Sequence, residues 1–254
     1  MSQFTHLEFL QNIGSQKPKT INNHETQCPF CQVDQLENIL AQQDTIILLK
    51  NKYATLKDTF QTVLIETDQC QSDLSLYTKE HLYQLIDFGV HHWLEMVNSG
   101  KYTSVIFFKN HGPLSGGTIR HPHMQIVGLR NINYQHNINK ADFMGIEIAS
   151  QSSVEFNLSS KPRMGFFEYN VLLHDLKDLQ IMADYIQLAV HYILHHNHFK
   201  CESYNLFFYQ IDGQIACKII PRYITPPLFV GYSIPQVASN LDEIVDRIKS
   251  IYKL

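Results

Sequence analysis

One order of elements occurs twice along this chain, and that recurrence restricts its fold more than any other feature. Leu82, Leu85, Ile86, Trp93, Met96 and Val97 recur at helical spacing from Lys79 to Asn98, and Ser99-Gly100 stops the run. Two β-rich runs follow, YTSVIFFK at residues 102–109 and PHMQIVGL at residues 122–129. The same succession returns as a long apolar helix over residues 176–198, then SYNLFFYQ at residues 203–210 and IACKII at residues 215–220. An amphipathic helix and a pair of short strands bury their apolar faces against each other. The chain is therefore predicted to be α+β, with two related halves, each a long helix packed on a mainly antiparallel sheet. The halves are predicted as residues 1–130 and 131–254, divided in the region where Asn131, Asn133, Asn137 and Asn139 cluster.

Outside the repeat, residues 45–49 and 62–66 read as strands, and Leu241 to Tyr252 as a closing helix with Ile244, Val245, Ile248 and Ile251 on one face. Residues 1–27 are polar, carry Lys17-Pro18-Lys19, and read as a meandering lead-in, part of it mobile. With 44% hydrophobic and 17% charged residues among 254, the composition is that of a folded protein. A formal net charge of -4 disfavours an extended nucleic-acid footprint but leaves room for a local phosphate site. No stretch has the length of a membrane span and the first residues lack the pattern of a secretion signal, so a cytoplasmic protein is expected. Five cysteines in such a chain point to metal binding before disulfides.

The segment from Asn110 to Gln125, NHGPLSGGTIRHPHMQ, concentrates the groups able to do chemistry. On a strand, His121, His123 and Gln125 alternate and face one side, while Pro122 fits a strand start, at the mouth of a sheet. The upstream glycines let backbone amides approach an anion. A bare His-x-His is more often two solvated histidines on an exposed strand. The longer pattern, Asn110, Gly112, Gly116 and Thr118 followed by His-Pro-His-x-Gln, resembles the active-site segment of the galactose-1-phosphate uridylyltransferase branch of the histidine-triad (HIT) superfamily. The resemblance implies a HIT-like fold, with His123 as nucleophile toward a nucleotide α-phosphate and Gln125 on a phosphoryl oxygen. Asn110, Gly112, Gly116 and Thr118 match positions around the phosphates, and Arg120 stands where many relatives have proline. Glutamine, unlike the third histidine of the hydrolases, donates a hydrogen bond without titrating usefully, which leans toward transfer over hydrolysis.

Cys28-Pro29-Phe30-Cys31 supplies two thiols at zinc-ligand spacing; by itself it also fits two small buried cysteines. Relatives in the same branch have a further ligand after a segment of the type IESPxH. Here that segment reads Ile65-Glu66-Thr67-Asp68-Gln69-Cys70. The resemblance therefore implies a closed structural zinc site of Cys28, Cys31, Cys70 and His121, with no chemical role for the metal.

Asn51-Lys52-Tyr53 and Leu228-Phe229-Val230-Gly231-Tyr232 also resemble stretches of that branch, but Ser233 follows where hexose-binding relatives carry glutamate. Near the end of the second repeat, where those relatives carry a His-x-His, Ala216-Cys217-Lys218 to Arg222 stand here, which weakens a hexose phosphate as acceptor and leaves no basis for a second, iron-type site. With CPFC and PRYITPPLFVGY the chain is most similar to a bacterial offshoot of the branch, DUF4931-like. The implied function is nucleoside monophosphate transfer from a nucleotide sugar or dinucleotide through a nucleotidyl-histidine. The alternatives are a pyrophosphate hydrolase or phosphorylase, and a non-catalytic nucleotide-binding protein. A nucleotide partner is expected, nucleic acid and membrane are not, and the branch makes a homodimer plausible.

Among the remaining candidates, His195, His196 and His198 read as helix-end residues favoured by the dipole. His91 and His92 straddle their helix face, and Cys201, Cys217 and Trp93 read as packing residues. Lys218 and Arg222 read as solvated strand-end cations, with reach to a phosphate as the alternative.

Overall fold

A computed structural model describes residues 6–21 and 27–254. The chain divides into two compact units, one of residues 1–73 and 84–137, the other of residues 74–83 and 138–254.

The first unit holds a one-turn helix α1 (Gln11–Gly14) and strands β1 (Ile39–Gln43), β2 (Ile46–Lys50) and β3 (Thr59–Ile65). Helix α2 (Lys79–Asn98) precedes β4 (Ser104–His111) and β5 (His123–Leu129), and its residues from 84 onward belong to this unit. The strand order is β1-β2-β3-β5-β4, and every neighbouring pair is antiparallel. β5 therefore lies between β3 and β4, with Gln125 opposite Val63 on one side and Phe108 on the other. Helix α2 covers one face. Trp93 is fully buried, its indole N–H donates to the Val105 carbonyl at 3.1 Å, and its ring lies 6.0 Å from Phe107. Gly89 permits this approach, because a Cβ there would sit 2.8 Å from the Phe107 ring. The opposite face carries His123, Gln125 and Phe108 and is not covered by the helix.

The second unit holds β6 (Gly145–Gln151), β7 (Val154–Ser159), β8 (Tyr169–Leu173), α3 (Leu179–His195), β9 (Tyr204–Ile211), β10 (Gln214–Pro221), α4 (Pro227–Tyr232) and α5 (Leu241–Tyr252). Its strands run β9-β10-β8-β7-β6, with antiparallel ladders joining β9 to β10, β10 to β8, β8 to β7 and β7 to β6. Asp212 and Gly213 both have positive φ in the two-residue turn between β9 and β10, the conformation such hairpin turns require. Helix α3 packs on one face: Tyr185 stacks on Phe156 at 5.5 Å and Tyr192 meets Tyr169 edge-on at 6.3 Å. Helix α5 buries Val245 and Ile248, and Tyr252 at its end shares a hydrogen bond with His191 of α3 at 2.7 Å.

Each half is thus a helix on an antiparallel sheet, as the repeat predicts. The predicted helix bounds hold for α2 and α5, while α3 is shorter than residues 176–198 because the chain turns through a 3-10 segment (Leu176–Asp178) before it. Four strands, β1, β6, β7 and β8, were not expected. The lead-in also contains α1, and Phe9 bridges to Leu56; its residues 1–5 and 22–26 lie outside the described residues. Among the described residues no helix is long and apolar enough to cross a membrane.

Candidate active site and metal cluster

His123 opens β5, paired with Ile65 of β3, and its side chain is 8% exposed. Its Nδ1 lies 2.8 Å from the carbonyl oxygen of His121. A carbonyl only accepts, so this contact requires the Nδ1–H tautomer and leaves Nε2 as the ring nitrogen with a lone pair. Burial, followed by the charges of Lys109, His121 and Lys17, pulls the imidazole pKa down to about 4 against the pull of the His121 carbonyl, so the ring is neutral at pH 7. Phe30 meets the ring edge-on at 5.4 Å. A buried ion pair between Lys109 of β4 and Glu66, just past β3, flanks the start of β5 on the helix-covered face.

His123 and Gln125 line a cleft of about 660 Å3 together with Phe108, Asn110, Gly116, Gly117, Thr118 and Lys17. Its lining also includes Phe30, Leu36, Leu49 and Val63, which are apolar, and the turn at Asn51-Lys52-Tyr53, where the Tyr53 N–H donates to the Asn51 side chain at 2.8 Å. Gly116 has φ +86, a left-handed backbone that disfavours a side chain, and a Cβ on Gly117 would press on Asn110 at 3.2 Å. Gly112 is placed differently from the other loop positions. The described lining does not include it; at φ +84 it turns the chain, and its carbonyl accepts from the Ser115 hydroxyl at 2.7 Å.

Cys28, Cys31, Cys70 and His121 converge in the same unit, with one ligand-type atom from each lying within 4.8 Å of all the others. Pro29 starts a 3-10 turn that closes with the Cys31 N–H donating to the Cys28 carbonyl, which folds the two thiols toward one point. His121 is fully buried, and its Nε2 lies 2.7 Å from the Thr67 carbonyl, so Nε2 carries the hydrogen and Nδ1 turns to Cys31 Sγ at 3.6 Å. Backbone carbonyls hold metal-binding imidazoles in this way. Burial and the neighbouring sulfurs push the Cys31 thiol up to about 12, a crowding of acidic groups that a cation would relieve. Three sulfurs and one imidazole suit a tetrahedral soft-ligand metal. Arg120 approaches Cys70 Sγ at 3.9 Å through its guanidinium, and its backbone N–H donates to Thr20 Oγ1 at 2.8 Å.

Elsewhere, Trp93, Cys201 and Cys217 are buried packing residues. His195 ends α3 and His196 caps it. His91, His92 and Glu95 form a second, more exposed group on α2. The reading of Lys218 is corrected: it is not solvated but completely buried, 3.1 Å from Glu168, because loop residues cover its face of the sheet. Arg222 donates to the Asn205 side chain at 2.7 Å. Lys17 is the cleft residue sequence reasoning passed over. Its place depends on contacts about 100 positions away, and only the Lys-Pro-Lys cluster hinted at it.

Two halves, each a helix on an antiparallel sheet and one of them bearing the histidine strand, define the class of fold. The chain belongs to the family described as domain of unknown function (DUF4931), matching its N-terminal domain over residues 9–132 and its C-terminal domain over residues 135–253. A crystal structure of a DUF4931 family protein from Bacillus cereus is 45% identical, with a TM-score of 0.78, covering 85% of this chain and 100% of that one. A uridylyltransferase structure shares the fold at 14% identity and a TM-score of 0.71, covering 90% and 92%. So does an ADP-glucose phosphorylase from Arabidopsis thaliana with bound ADP-glucose, at 13% identity and 0.67, covering 92% and 91%. No curated protein matches the sequence.

Proposed function

We propose that the chain is a nucleotidyltransferase that passes a nucleoside monophosphate group through a covalent bond to Nε2 of His123. The observation that carries this reading is the hydrogen bond from His123 Nδ1–H to the His121 carbonyl, on a buried neutral imidazole that lines a cleft. The uridylyltransferase and the phosphorylase among the structures of like fold support it, as does the HPHxQ pattern.

In the first half-reaction the Nε2 lone pair attacks the α-phosphorus. An N–P bond forms while the P–O bond to the leaving phosphate breaks, and the oxygen departs with the electron pair. The imidazole becomes cationic, and the His121 carbonyl dipole stabilises that charge through Nδ1–H. Gln125, two residues along the same face, donates its amide N–H to an α-phosphoryl oxygen, and Asn110, Gly116 and Thr118 lie along the phosphates, with Gly112 shaping their loop. In the second half-reaction an acceptor oxygen attacks the phosphorus, the N–P bond breaks, and the neutral ring returns. The apolar wall of Phe30, Leu36, Leu49 and Val63 takes the base.

Zinc is the metal we assign to Cys28, Cys31, Cys70 and His121, where it supplies a structural crosslink between the Cys-x-x-Cys turn, the segment after β3 and the start of β5. Incubation with labelled nucleotide sugars and dinucleoside polyphosphates tests the function. Label is expected on the wild-type chain and not on His123→Ala; a panel in which no nucleotide labels or protects the protein overturns the assignment. Added phosphate, sugar phosphate or water as acceptor then separates phosphorylase, transferase and hydrolase.

A further inference from the structure

Helix α2 packs its inner side on the sheet of the first unit, where Trp93 donates to the Val105 carbonyl at 3.1 Å, and leaves its outer side to solvent. His91 and His92, placed at i,i+4 and i,i+3 to Glu95, share a stripe with it on that helix. Both imidazoles converge on one oxygen. His92 Nδ1 lies 2.7 Å from Glu95 Oε2 and His91 Nε2 lies 3.7 Å from it, and one ligand-type atom from each of the three lies within 4.8 Å of the others. The His92 ring is held in place, edge-on to the buried Phe88 at 4.5 Å and to the His91 ring at 5.2 Å. The side chains of His91 and Glu95 are 65% and 59% exposed, so an ion reaches them from solvent.

A hydrogen bond accounts for one of these contacts and not for the other. At 2.7 Å His92 Nδ1–H donates to the carboxylate, whereas at 3.7 Å the His91 nitrogen is beyond hydrogen-bond reach of that oxygen. Two donors each about 2.0–2.1 Å from one tetrahedral zinc stand about 3.3 Å apart, between the two separations. An ion therefore fits with small shifts. For His92 it needs only the Nε2–H tautomer, which frees the Nδ1 lone pair without a change of charge. Two imidazoles and one carboxylate suit zinc, nickel or copper; magnesium and calcium take oxygen ligands. Asp87, one turn before His91 on the same stripe, adds negative charge nearby.

We propose that His91, His92 and Glu95 form a second metal site, for a divalent transition ion of the zinc type, with a coordination position left for water. The ion staples consecutive turns of α2 and so stabilises the helix that covers the first sheet. The site lies on the side of that sheet away from His123 and shares no residue with the cysteine cluster. It stands independently of the nucleotidyl-transfer reading.

Calorimetric titration of the full chain with zinc, and with magnesium in its place, tests the site in wild type, His91→Ala, Glu95→Gln and His174→Ala. Wild type is expected to take up about one zinc per chain more than His91→Ala or Glu95→Gln, a difference that holds whatever the cysteine cluster binds. The affinity for that zinc should fall by at least about tenfold in either variant, since even an outer-shell partner is worth that much. His174→Ala removes an exposed histidine elsewhere and should match wild type. Excess zinc should raise the melting temperature of wild type more than that of His91→Ala, because an ion held by the folded helix stabilises it by mass action. Both substituted side chains of the site are exposed, so the variants should fold and, without metal, melt as wild type does. A wild type that takes up no more zinc than His91→Ala and Glu95→Gln overturns the proposal. Magnesium held as tightly as zinc, or an equal rise in melting temperature in wild type and His91→Ala, overturns it as well.

Discussion

The helix-free faces of the two units carry the same register and opposite contents. In the first unit Leu49, Val63, Gln125 and Phe108 form a row across β2, β3, β5 and β4. In the second, Asn157, Asn170, Lys218 and Phe207 form the matching row across β7, β8, β10 and β9. Lys218 stands at the place of Gln125, and Ala216 stands at the place of His123. The first row opens onto a cleft. The second is sealed: Lys218 pairs with Glu168, donates to the Asp142 carbonyl at 2.7 Å, and lies under the Phe143 ring, which meets Tyr209 edge-on. Asn170 donates to Asn157, and Asn157 donates to the Phe143 carbonyl, so the row is tied to the turn that covers it. The same architecture forms an open face where polar groups line a cavity, and a core where they are closed by a loop.

The largest effect expected from this contrast is on stability in the second unit. Glu168→Gln leaves Lys218 buried without its carboxylate, which should cost about 3–5 kcal/mol in urea unfolding, whereas Glu168→Leu with Lys218→Met should cost much less than the single change. A single-variant loss below about 1 kcal/mol would show that the seal is not closed by this pair.

The first unit instead gathers Cys28, Cys31, Cys70 and His121, a set that could hold a metal. Cys70→Ala should lose bound zinc and melt lower, while Cys70→His should retain about one zinc per chain, since imidazole is also a ligand. Elemental analysis of the purified proteins measures both, and a metal-free, folded wild type would remove the cluster from the account.

Gln125→Met should behave oppositely to Glu168→Gln. It should alter stability by less than about 1 kcal/mol, because Gln125 faces an open cleft, yet slow nucleotidyl transfer by about 10²-fold as one phosphoryl donor is lost. A large stability loss with unchanged transfer would erase the distinction between the two faces.

The smallest effect concerns acid. Burial, with help from the Lys109 charge, lowers the half-buried His111 to about 4. Between about pH 6.5 and 4 the unfolded chain therefore takes up a proton that the folded chain refuses, so stability falls as pH falls. His111→Gln should flatten that decline by about 1 kcal/mol or less, given its partial exposure, as read from melting temperatures at pH 7 and pH 5.

The contrast also shows what sequence could reveal. Helices α2 and α5 were legible because their apolar positions keep a helical period, and the cysteine and histidine quartet because the family resemblance implied it, Cys-x-x-Cys by its spacing offering only two of the four ligands. β1 was missed because most of its side chains are exposed and it lacks a clean alternation. β7 and β8 were missed because Asn157 and Asn170 interrupt their apolar runs, although both are buried. The solvated reading of Lys218 failed for the same reason, since only the folded loop supplies Glu168 and Phe143. Lys17 escaped notice because its position depends on Thr20 and Ile21 docking on residues 118–120.

The central claim is that the first unit's open face holds a histidine whose Nε2 takes the phosphoryl group, and phosphorus-nitrogen correlation spectroscopy on the trapped, nitrogen-15 histidine-labelled adduct measures it directly. Phosphorus bonded to Nε2 of His123, and absent in His123→Ala, is the result the account predicts. Phosphorus on Nδ1, on another residue, or on none contradicts it.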